Sequence, residues 1–123
     1  MDRTHAYGGA LEAVDRILNR GGDPDDVLRA VVDALHERVG YEWVGIAFVE
    51  EGGLELGPSA GTLRGEPARL PVSFQGSKVA ELQVAAGSIG EKEQAFLERV
   101  ATLVSAYCLV AWDTGGVPWP DLG

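Results

Sequence analysis

Few residues in this chain could do covalent chemistry, and their spacing argues against most reactions. Cys108 is the only cysteine. It falls mid-helix among apolar residues, a setting that raises a thiol's pKa and blocks approach, so it reads as core packing and not as a nucleophile. A lone cysteine also excludes an intrachain disulfide and a multi-cysteine metal centre, and it points to a reducing compartment. The two histidines, His5 and His36, lie in separate segments with no second histidine or cysteine at ligand spacing. Surface histidines therefore fit better than metal ligands, and no metal or other cofactor is expected. Ser73, Ser77 and Ser88 lack the strand–turn–helix setting of a serine nucleophile and have no nearby base. The glycine pairs at 8–9, 21–22, 52–53 and 115–116 do not follow a strand and open a helix, as a phosphate-binding loop would. They read as chain breakers.

Composition narrows the partners. The formal net charge is -9 and the isoelectric point about 4.5, so the average surface repels phosphate and anionic lipid. No nucleic acid and no membrane partner is expected, and the acidity serves solubility; no acidic loop resembles an EF-hand. With 123 residues, 46% hydrophobic and 24% charged, the chain suits one folded domain. The N-terminal residues lack an apolar signal core, and the longest nearly apolar stretch, Ser105 to Trp112, is too short to span a bilayer. A cytoplasmic location is expected.

The elements that must position any site follow from periodicity. Leu11, Val14, Ile17 and Leu18 recur at helical spacing up to Gly21-Gly22. Asp23 then serves as an N-cap and Pro24 as the first helical residue, with Asp25 and Asp26 at the positive end of the dipole. Val27, Leu28, Val31, Leu35 and Val39 trace the buried stripe to Gly40. Residues 42–49 read as a central strand, with Val44, Ile46 and Phe48 on one face and Trp43, Gly45 and Ala47 on the other. A turn at 50–53 leads to a short partner strand holding Leu54 and Leu56 and ended by Gly57-Pro58. Residues 59–68 read as a loop. Leu70, Val72 and Phe74, then Ala80, Leu82, Val84 and Ala86, form a second hairpin around Gln75-Gly76-Ser77.

Ser88 with Glu91 has the capping-box pattern and opens a helix to about Asp113. That helix carries two apolar seams: Phe96, Val100, Leu103, Tyr107 and Val110 form one, and Leu97, Val104, Cys108 and Ala111 the other. Two seams exceed what one sheet face needs, so part of the helix is expected to meet another chain, with Leu97, Val104, Tyr107, Cys108 and Ala111 as the candidate interface. The expected organisation is a flexible segment 1–9, one domain over 10–113 and a flexible Pro/Gly tail over 114–123, with Trp119 as a group that could dock.

Helix, helix, hairpin, loop, hairpin, long helix is the element order of a shortened GAF domain. The stretch from Glu42 to Pro58 resembles the first hairpin of the free-methionine-(R)-sulfoxide reductase branch of that family, and Leu70 to Val84 resembles its later, proline-led hairpin. The resemblance implies an α+β fold: an antiparallel sheet of about four strands with two N-terminal helices and one long C-terminal helix on one face. It also implies what is missing. Those reductases carry redox cysteines in a long segment between the hairpins, and residues 59–68 contain none. Two aspartates of their pocket correspond here to Gln83 and Ala85, and of the pocket's aromatic pair only Trp43 has a counterpart, with Ala47 in the tyrosine's place.

Strand alternation nevertheless puts Trp43, Ala47, Ser73, Glu81, Gln83 and Ala85 together on the sheet face away from the helices. An aromatic plate beside polar groups suits a small polar ligand, and the same residues also suit a partly solvated face that binds nothing. The sequence therefore reads as a non-enzymatic regulatory or dimerising module of a bacterial-type signalling system, with a homodimer and a signalling protein as partners. A sensor of a small molecule on the Trp43 face is the alternative, and a degenerate sulfoxide reductase the third.

Overall fold

The computed structural model describes residues 4–51, 53–85 and 89–113. Its elements are α1 (Thr4–Arg20), α2 (Pro24–Val39), β1 (Trp43–Glu50), β2 (Gly53–Gly61), β3 (Ala68–Phe74), β4 (Ser77–Ala85) and α3 (Glu91–Asp113). The strands form one antiparallel sheet in the order β2-β1-β4-β3, and the three helices pack on one of its faces. Fold class and element order are those expected from the sequence. The first helix starts earlier than its apolar spacing indicated, and the tail from 114 lies outside the described residues, with Trp119 in it.

The local signals of α2 act as read. Asp23 has extended backbone geometry and its side chain accepts from the Asp25 amide at 3.3 Å, Pro24 opens the helix, and Gly40 closes it in a left-handed conformation. The stripe of Val27, Leu28, Val31, Leu35 and Val39 is buried, and Val32 joins it. Across from it, Val44 and Ile46 of β1, Leu70 and Val72 of β3, and Ala80, Leu82 and Val84 of β4 complete the core between sheet and helices.

Two features differ from the reading of the sequence. Strand β2 continues past Gly57-Pro58 to Gly61, so the connection to β3 is confined to residues 62–67. The pairs Gly45↔Ser59 and Ala47↔Leu56 leave β2 with an extra residue between them, a β-bulge. Gly57 and Pro58 sit in that bulge, where a strand at the sheet edge tolerates a residue with no amide proton. Gly57 is also where the Phe48 ring packs, so closely that a β-carbon would collide with it. A glycine–proline pair that looks like a stop is here a bend within a strand. The second difference is the cap of α3: the helix begins at Glu91, the Gln94 amide bonds the Gly90 carbonyl at 2.9 Å, and Ser88 lies outside the described residues.

Candidate functional site

The outer face of the sheet is built by parity. Because Val44 and Ile46 enter the core, Trp43, Gly45 and Ala47 face away from it, and Glu81, Gln83 and Ala85 of β4 stand beside them in register. The pairs Trp43↔Ala85, Gly45↔Gln83 and Ala47↔Glu81 place the expected residues side by side. Ser73 of β3 belongs to the same face but is exposed at its margin.

Trp43 does not stand up from this face as a free plate. Its indole lies back along β1 over Gly45, where an added β-carbon would fall 2.6 Å from the ring and 3.2 Å from the Leu56 side chain. Trp43 is only 5% exposed and Ala47 3%. The ring fills the room that a side chain at position 45 would occupy, and glycine is what permits it.

The polar half of the face is satisfied by its own members. Glu81, 8% exposed, accepts from Lys78 Nζ at 2.7 Å on one carboxylate oxygen and from Gln83 Nε2 at 3.0 Å on the other. Burial pushes the Glu81 carboxyl up, but the hydrogen bonds from Lys78 and Gln83 and the positive charges of Lys78 and Arg69 outweigh it and hold the group below the usual glutamate value of 4.5. Glu81 is therefore an ionised carboxylate at neutral pH with both oxygens engaged.

Lys78 and Arg69 also act on Glu81, and simple alternation misplaces Lys78. Counting back from Ala80 by twos would aim Lys78 into the core. The register shift between Val72 and Ser73 pairs Ser73 with Lys78 and turns it outward, while Val79 packs against the core instead. Arg69 enters because it pairs with Gln83 across β3 and β4. No sequence signal marks the bulge, and the pairing of Arg69 depends on it too: without the shift the turn's register would set Arg69 opposite Leu82.

The candidate interface on α3 requires correction. Leu97, Val104 and Cys108 are 0% exposed within the single chain. They are core because α3 packs against β3 and β4 and also against α2 and α1, so the seam residues from Phe96 to Cys108 have intramolecular partners. Tyr107 is half-buried and donates its hydroxyl proton to the Leu18 carbonyl at 3.1 Å, and the Tyr7 and Phe96 rings stack at 4.5 Å, both tying α1 to α3. The Ala111 side chain lies outside the described residues. Burial pushes the Cys108 thiol up to about 12.

His36 is also not a simple surface histidine. Half-buried, it donates from Nδ1 to the Tyr41 carbonyl at 2.7 Å and fixes the link from α2 into β1. Among the described residues no group of three or more His, Cys, Asp or Glu side chains is placed to hold a metal ion, and no helix is long and apolar enough to cross a membrane.

Comparison with known proteins adds the fold's relatives. No family model and no curated protein sequence matches this chain. Among solved structures it is similar to the free methionine-R-sulfoxide reductase from Neisseria meningitidis, determined with its substrate, at a TM-score of 0.76 and 16% identity over 92% of this chain and 94% of that one. The GAF domain of the Acinetobacter phosphoenolpyruvate-protein phosphotransferase superposes at 0.68 with 16% identity, covering 88% and 97%. The GAF domain of A. aeolicus Nlh2, in an inactive state, gives 0.71 with 13% identity, covering 89% and 99%. Identities this low establish shape and not activity. Three helices on one face of a β2-β1-β4-β3 antiparallel sheet, matched over nearly the whole length of these domains, give this chain the GAF fold.

Proposed function

We propose that this chain is a regulatory module that acts by associating with protein, its own kind included, and that it carries out no reaction. The observation that carries this reading is the filled outer face: Trp43 rests on Gly45, and Glu81 is saturated by Lys78 and Gln83. A ligand there would have to break an ion pair and lift a buried indole before making any contact of its own. The one thiol gives no support to sulfoxide reduction, since Cys108 is buried and remains protonated at neutral pH. The similar GAF domains of a phosphoenolpyruvate-protein phosphotransferase and of Nlh2 supply precedent for the fold as one domain of a larger protein.

Light scattering at roughly tens of micromolar tests the reading, with twice the 13.0 kDa chain mass as the expected result. A monomer at every concentration, with no protein partner, would count against it.

One observation favours a second reading. A buried, ionised carboxylate beside a carboxamide and an indole is a set of groups able to hold a small cationic or zwitterionic molecule. Tryptophan fluorescence titrated with amino-acid derivatives and nucleotides, repeated on Trp43→Phe, separates the two. Micromolar binding that is lost on Trp43→Ala and Gln83→Ala would make the protein a sensor.

A further inference from the structure

The sheet ends on one side at β2, which pairs with β1 and with no second strand. Ahead of the bulge at Gly57-Pro58 its register is regular, with Val49↔Leu54, Phe48↔Glu55 and Ala47↔Leu56, and the residues from Gly53 to Leu56 are all exposed. An edge strand directs the N–H and C=O of every second residue away from its one partner, so this stretch offers open backbone groups. The opposite edge is blunted: β3 carries Pro71, which has no amide proton, and its register shifts after Val72.

Side chains along the open stretch divide by face. Leu54 and Leu56 share the outer face with Val49 and Ala47, and the Leu56 side chain reaches toward Gly45. They are 41% and 55% exposed, and among the described residues only Leu63 joins them as an exposed large hydrophobic group. Glu55 points to the other face by alternation. It lines a cleft of about 310 Å³ together with Glu50, Glu51, Gly53 and Leu54. Among the described residues none of these three glutamates forms an ion pair, and the sequence has no lysine, arginine or histidine between Arg38 and Arg64. Apolar groups in water on one face and unpaired carboxylates on the other are the complement of a strand whose residues alternate apolar and basic.

We propose that β2 is a docking edge for an extended, basic segment of a different protein, which adds as a fifth strand along residues 53–56 with apolar residues beside Leu54 and Leu56 and a lysine or arginine beside Glu55. A second copy of this chain does not fit: a two-fold axis at this edge sets glutamates against glutamates, in chains that each carry a net charge of -9. The same charge draws a basic partner in, and the alternation of leucine and glutamate fixes its register. The proposal rests on the association reading above and names the chemistry of a partner that reading left open.

A fluorescein-labelled peptide of alternating valine and arginine, about six residues long, is the probe. Its anisotropy should rise on titration with the full chain, and Leu54→Ser with Leu56→Ser, or Glu50→Lys with Glu55→Lys, should weaken binding about tenfold. All four side chains are exposed, so both variants should keep the native circular dichroism. Methylating the amide nitrogens of the valines in one peptide and of the arginines in another should abolish binding for one and spare it for the other, because successive amides of a strand point to opposite edges. A peptide of alternating serine and arginine that binds equally well would overturn the edge site, since attraction to an acidic surface would then account for the titration. Indifference to both double variants, or no binding of the valine–arginine peptide, would overturn it as well. Self-association is judged separately by the light-scattering mass, which neither double variant should change.

Discussion

The hydroxyl of Tyr41 donates to Oε2 of Glu93 at 2.8 Å, joining the entry to β1 with the first turn of α3 across 52 positions of sequence. Tyr41 is 1% exposed and Glu93 6%. His36 holds the carbonyl of the same tyrosine, so one residue links α2, the sheet and α3. Removing the hydroxyl with Tyr41→Phe takes a donor from a buried carboxyl group, at an expected cost of about 1–3 kcal/mol. Urea unfolding measures it; a change under a few tenths of a kcal/mol would mean that this bond holds nothing together.

The contact between Trp43 and Gly45 predicts non-additivity. Gly45→Ala forces the indole off the strand and should destabilise by about 1–3 kcal/mol, as overpacking does. In a Trp43→Ala background the added methyl group meets only the Leu56 side chain, and the cost of the same change should fall to a small part of that. Equal costs in both backgrounds would show that the indole does not occupy that space.

Cys108 should be inert while the protein is folded. With its thiol buried and pushed up to about 12, an aromatic disulfide reagent at pH 8 should react only at the rate of unfolding. Cys108→Ala leaves a small void and should cost about 1–2 kcal/mol. Immediate stoichiometric labelling of native protein would refute the burial.

Glu81 gives a pH dependence whose sign is fixed. Its folded pKa is depressed below 4.5, so the folded state binds fewer protons at this site than the unfolded chain. The stabilisation is present above the ordinary glutamate pKa and is lost as pH falls through the lower folded value. Glu81→Gln should flatten that part of the stability–pH curve, and Lys78→Met should shrink it, because the ammonium at 2.7 Å supplies much of the depression. A wild-type curve matching Glu81→Gln below pH 5 would refute the ion pair.

The sequence by itself determined the elements whose causes are local. Asp23-Pro24 and Gly40 bound α2 because capping and backbone conformation act within a few residues, and alternation placed Trp43, Glu81 and Gln83 on one face because successive side chains of a strand must point apart. Only the tertiary structure decided matters that depend on what lies opposite. Gly57-Pro58 bends β2 instead of ending it, since the β1 edge continues to pair beyond them. A bulge against β3 turns Lys78 outward to Glu81, against simple parity. The second seam of α3, with Leu97, Val104 and Cys108, is core and not interface: an apolar stripe in a sequence says only that something covers it, and here α1, α2 and the sheet of the same chain reach both sides of that helix.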